Sequence, residues 1–179
     1  MDEVTSLMKD HPDLDVNWTN GTGSKWSALH AASIHGHVEV VKLLLAHAGI
    51  NVNVKDKHEH SPLSLGCLSG HVSVVQVLLK DARVNVTQDD AEGCTPLWRA
   101  AFFGKHEVVE WLIESGRDLG DVKNKKGRWG RNEFTALEIA KECSQTEIVS
   151  VLEKFMAYPA MTRQKIRRKL NVAGKLFPG

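Results

Sequence analysis

The chain repeats itself, and that repetition limits its fold more than any other property. Ser27-Ala-Leu-His-Ala-Ala, Ser61-Pro-Leu-Ser-Leu-Gly, Thr95-Pro-Leu-Trp-Arg-Ala and Thr135-Ala-Leu-Glu-Ile-Ala begin at intervals of 34, 34 and 40 residues. Each is followed at one distance by a small residue (Gly36, Gly70, Gly104, Ser144), and then by a second apolar pattern starting at Val38, Val72, His106 and Thr146. Three columns are identical in all four units: Leu29/Leu63/Leu97/Leu137, Val41/Val75/Val109/Val149 and Leu44/Leu78/Leu112/Leu152. A fixed period of this size marks an array in which each unit is one supersecondary element packed on the next.

The columns dictate the local structure of a unit. A Ser or Thr before the first apolar residue caps a helix start, and Pro62 and Pro96 occupy the first helical position, where a missing N–H costs nothing. The small residue permits the left-handed turn that ends this helix. A second helix then runs antiparallel to it, with apolar residues at i, i+3 and i+4. Two helices of two or three turns cannot bury their apolar faces alone, so each pair must stack on its neighbours.

Over residues 23–156 these units resemble the ankyrin repeat, a β-turn and two helices with a T-P-L-H-x-A signature. The resemblance implies an all-α solenoid of helix-turn-helix units with β-turn or hairpin fingers. Its repeats fall at 23–56, 57–90, 91–124 and 125–156, the last opening with an extended basic finger. Val4, Leu7, Met8, Leu14 and Val16 lie 36 residues before Val40, Leu43, Leu44, Ile50 and Val52, so residues 1–22 read as a capping half repeat. Residues 157–179 read as a basic capping helix or tail, with Pro159 breaking the chain and a helix expected over about 162–170. Only His30 occupies the signature His; Ser64, Trp98 and Glu138 replace it.

Charge is unevenly spread. From Ala160 onward there are six basic residues and no acid, whereas residues 1–159 hold 17 basic against 22 acidic residues. A basic tail on an acidic body binds that body, an acidic partner, nucleic acid or an anionic membrane surface. Arg163, Lys165, Arg167, Arg168 and Lys169 carry this tail, which admits three readings. It is an end cap laying Ile166 and Leu170 on repeat four with its cations in water, the favoured one. Otherwise it is an amphipathic helix for acidic lipid or a calmodulin-like partner, or a nuclear-import run. No stretch is apolar enough for a membrane span, and the acidic start lacks the character of a signal peptide, so an intracellular, monomeric protein is expected.

No catalytic, cofactor or metal constellation stands out. Gly21-Thr-Gly-Ser-Lys25 lacks phosphate-loop spacing, and the His35/His37 and His58/His60 pairs sit at turns without convergent ligands. Cys67 and Cys143 fall in first-helix patterns as small hydrophobes, whereas Cys94, beside a turn tip, is expected to be the most exposed thiol. These features predict a non-enzymatic module binding a protein or peptide.

The resemblance places partners in the concavity formed by fingers and first helices. Carried over position by position, Trp26, His58, His60 and Phe134 fall on the fingers, and Ile34, His35, Leu68, Phe102 and Phe103 on the palm. At least two of Trp26, Phe102, Phe103 and Phe134 are expected to be substantially exposed, since aromatics favour interface centres. Arg99 stands in a column otherwise apolar (Ala31, Leu65, Ile139), so it must reach the palm surface or find a buried acid. Six extra residues before repeat four create Lys123-Asn-Lys-Lys-Gly-Arg-Trp-Gly-Arg131, expected to be a long, mobile, basic finger. Its Trp129 docks on Phe134 or the palm, or contacts an acidic partner. The acidic body argues against nucleic acid, and the single apolar residue per turn of the tail argues against membrane insertion.

Overall fold

The computed structural model describes residues 14–21 and 23–172. The N-terminal helix expected before Leu14 lies outside them. In chain order the elements are α1 (Ala28–Ile34), α2 (Val38–Ala46), α3 (Pro62–Ser69), α4 (Val72–Lys80), α5 (Pro96–Phe102) and α6 (His106–Glu114). They continue with β1 (Lys126–Trp129), β2 (Asn132–Thr135), α7 (Ala136–Glu142), α8 (Thr146–Ala157) and α9 (Pro159–Val172).

The helix starts follow the predicted chemistry. Ser27, Ser61, Thr95 and Thr135 each accept a hydrogen bond from the backbone N–H three residues on, at 3.1–3.4 Å. Gly36, Gly70 and Gly104 hold positive φ (73°, 81° and 66°), and the first residue of the next unit's second-helix turn, His71, Lys105 or Gln145, lies where a Cβ would point. In repeat four Ser144 adopts the same left-handed backbone, which L-residues disfavour.

First helices stack as an inner layer, α1 on α3 on α5 on α7, and second helices as an outer layer, α2 on α4 on α6 on α8. The identical columns are the seams: Leu29, Leu63, Leu97, Val41, Val75, Val109, Leu44, Leu78, Leu112 and Leu152 are all buried. Leu137 and Val149 are only half-buried, because among the described residues no further repeat packs on that side of them. That side of repeat four carries an exposed ion pair, Lys141 with Glu153 at 2.8 Å.

The last helix corrects two expectations. The chain breaks at Pro159 as expected, but α9 begins at that proline and runs to Val172 instead of spanning only about 162–170, consistent with the tolerance of a helix start for proline. Moreover, α9 does not rest on repeat four alone; it packs along the outer layer against both α8 and α6, as a strap across two repeats. Thr162, Ile166 and Leu170, four residues apart, form its buried stripe. Under it α6 is buried from Val108 to Glu114, whereas the corresponding Gln76 and Val77 of α4 are half-buried and Lys80 is exposed.

The basic residues of the strap are not all left in water. Arg167 Nε donates to Glu114 at 2.8 Å, and Lys169 Nζ to both Glu110 oxygens at 2.8 and 2.9 Å. Arg163 Nε donates to the Ile113 carbonyl at 3.1 Å, completing a series in which Arg83 Nη2 caps Leu45 and Arg117 Nη1 caps Leu79. Cations on C-terminal helix carbonyls satisfy orphan acceptors and oppose the helix dipole. Lys165 and Arg168 are exposed and make no ion pair among the described residues.

Candidate functional site: the finger and palm face

The fingers are tied to one another before any side chain is considered. The N–H groups of Lys57, Ala91 and Arg128 donate to the carbonyls of Ser24, His58 and Glu92 at 3.0, 3.1 and 2.8 Å, one link per junction. Two acids at a spacing of 34 stiffen the middle fingers. Asp56 Oδ1 accepts the N–H groups of His58 and His60, and Asp90 Oδ1 those of Glu92 and Cys94, all at 2.8–3.1 Å.

Both acids also reach sideways. Asp56 Oδ2 accepts Trp26 Nε1–H at 3.2 Å and lies 3.2 Å from His60 Nδ1, while His60 Nε2 lies 3.7 Å from Asp90. Burial alone would raise the Asp56 carboxyl; the His60 and His58 N–H groups outweigh it and hold the pKa below the ordinary value. Arg99 ends the row, donating to Asp90 at 2.7 Å and Glu92 at 2.7 Å. It has found the buried acid its apolar column required, and its guanidinium is committed to the finger.

Aromatic side chains form the adjoining palm. Trp98 is buried, stacks on Phe102 with ring centres 5.4 Å apart, and donates Nε1–H to the Phe134 carbonyl at 2.8 Å. His30 does the same in repeat one, its Nε2–H donating to the His60 carbonyl at 3.0 Å while Nδ1 accepts the Ser27 N–H at 3.1 Å. Burial pushes the His30 imidazole below its ordinary pKa and keeps it neutral. Trp98 therefore performs the signature histidine's task across a longer finger.

That finger is a paired hairpin, one of the finger forms the resemblance implies, and its strand pairing orders a segment expected to be mobile. Lys126, Gly127, Arg128 and Trp129 face Thr135, Phe134, Glu133 and Asn132 in antiparallel register. Gly130 supplies the positive φ (64°) that a two-residue loop favours at its first position. Gly127 is buried against Cys94, and a Cβ there would lie 2.5 Å from its Sγ. Cys94 is thus fully buried, contrary to expectation, because β1 lies directly over it; burial pushes its thiol up to about 12. Asp90, Glu92 and Cys94 bring potential metal ligands within 4.8 Å of one another. The two carboxylates are already bound by Arg99, and the thiol is protonated.

Trp129 packs back toward the palm, 5.6 Å from Phe102 and 6.2 Å from Phe134. Phe103 meets Phe102 edge-on at 4.8 Å. Of Trp26, Phe102, Phe103 and Phe134, only Phe103 is exposed, at 45%; the others are half-buried because each packs on a neighbouring ring or finger. Trp129 is exposed to the same 45%. His35 and His58 are exposed, while Ile34, His60 and Leu68 are half-buried. The sequence reading missed Asp56, Asp90, Glu110 and Glu114. A spacing of 34 was the available signal for the first two, whereas the last two resemble ordinary surface acids until α9 lies over them.

The family model for ankyrin repeats (3 copies) matches residues 2–90 and again 84–159. No curated protein matches the chain. Ankyrin repeats generally serve as protein–protein interaction modules. Among the described residues no helix is long and apolar enough to cross a membrane. The stacked helix pairs, their capped starts, the finger-to-finger ladder and the family match agree, and the chain belongs to the ankyrin-repeat family.

Proposed function

We propose that this chain binds a protein partner through the palm of repeats three and four, without catalysis. Phe103 and Trp129 act as its apolar anchors, and the hairpin cations Lys126, Arg128 and Arg131 select an acidic surface. The observation that supports this reading most is the continuous ring contact from Trp98 through Phe102 to Phe103 and Trp129, which holds two exposed aromatics on a rigid base. Preformed aromatic anchors lose little conformational entropy on binding, and flanking cations raise the rate of encounter with an acidic partner. Engagement of Arg163, Arg167 and Lys169 within the molecule counts against an anionic-surface binder using the tail.

Binding of a protein captured on the wild-type chain, measured against Phe103→Ala/Trp129→Ala, tests the reading. Both side chains are half in solvent, so the variant should stay folded and lose at least about tenfold in affinity. Unchanged affinity in the folded variant contradicts the proposal.

A further inference from the structure

A second concavity lies on the opposite layer of the molecule, between α8 and α9. It has a volume of about 370 Å³, with Val151 and Ile166 in its floor and Tyr158 and Met161 at its edge. Tyr158 and Met161 are among the most exposed large apolar side chains, at 64% and 67%. Exposed neighbours of this size around a cavity mark an interaction surface more often than a plain solvated face.

The charges around this groove are one-sided. Glu110 also lines it, but its carboxylate is held by Lys169 and is only 4% exposed. Lys154 donates only to Ser150 Oγ, at 2.7 Å, and Lys165 makes no ion pair among the described residues. Among the described residues, two cations on facing helices therefore stand over an apolar cavity with no available acid between them.

We propose that this groove is a second docking site, taking a short peptide segment in which one large apolar side chain is flanked by carboxylates. The side chain fills the cavity over Val151 and Ile166, and the carboxylates meet Lys154 and Lys165. The volume suits one bulky side chain and its adjoining backbone, and the charge complement requires acidic flanks. The site is independent of the palm, because it uses the outer helices and the strap.

The test is titration of the ¹⁵N-labelled full chain with an acetylated, amidated pentapeptide carrying tryptophan between pairs of aspartates. Saturable shifts should cluster at Val151, Lys154, Met161 and Lys165. Binding should weaken about tenfold in Lys154→Glu/Lys165→Glu, whose altered side chains are exposed, and persist in Lys126→Glu/Arg128→Glu. Met161→Ala and a peptide with alanine for tryptophan should also bind more weakly. Absence of saturable shifts at millimolar peptide overturns the proposal. So do shifts centred on the hairpin that vanish in Lys126→Glu/Arg128→Glu, or binding that appears only once residues 173–179 are removed, which would make the chain's own end the occupant.

Discussion

Replacing Trp98 with histidine would restore the signature residue of the family, yet it should destabilise this chain. The indole is 2% exposed, stacks on Phe102 and donates to the Phe134 carbonyl. The corresponding imidazole of His30 reaches a carbonyl 30 residues on, whereas Trp98 reaches one 36 residues on, across the inserted hairpin. Truncating a buried tryptophan to alanine costs about 3–5 kcal/mol. An imidazole recovers part of the packing, so Trp98→His should cost about 3 kcal/mol. In a protein of this size that lowers Tm by roughly 6–12 °C. Urea unfolding followed by far-UV circular dichroism reads the loss as a lower midpoint with an unchanged slope. Trp98→Phe separates the two contributions: it keeps a ring against Phe102 but removes the hydrogen bond to the Phe134 carbonyl, at about 0.5–1.5 kcal/mol. A Trp98→His midpoint equal to or above wild type would refute the reasoning, because the indole would then be a tolerated substitution with no part in holding the hairpin.

Gly127→Ala should destabilise by about 1–3 kcal/mol through the clash with Cys94, and Cys94→Ala in the same chain should recover part of it; full stability of the single variant contradicts the close approach. Ile166→Ala should cost about 2 kcal/mol or more by emptying the interface of the strap, checked by the urea midpoint, and an unchanged midpoint would mean α9 is not anchored there. The lowered His30 pKa makes the unfolded chain bind the extra proton as pH falls. The contribution of this group is complete above about pH 6.5 and declines below it by at most about 1.4 kcal/mol per pH unit. His30→Gln should flatten the fall of Tm between pH 7 and pH 5, and an identical slope would show that His30 titrates normally.

The array was legible because its causes are local and periodic. Capping Ser and Thr, the glycine column and the leucine seams act within a unit or between identical positions of neighbours. Cross-chain choices were not legible in the same way. The six-residue insertion was legible as a long basic finger, but not its order, which comes from pairing with β2 and the link from Arg128 to Glu92. Cys94 was assigned to the surface by its place beside a turn, but the missing Cβ of Gly127 let a strand cover it. The tail's apolar stripe at Ile166 and Leu170 was visible. Its target was not, because Glu110 and Glu114 sit in a helix whose equivalents in earlier repeats face solvent. At the candidate site the aromatic types were evident, while their exposure depended on which rings stacked together.

The concave docking face is tested most directly by photocrosslinking from single positions in a native lysate. A benzophenone side chain at Phe103 should yield a discrete protein adduct that is suppressed by Trp129→Ala, while the same group at Ser73 on α4 should not yield it. An adduct of equal yield from both positions, or none from Phe103 while Ser73 captures the partner, would contradict the account.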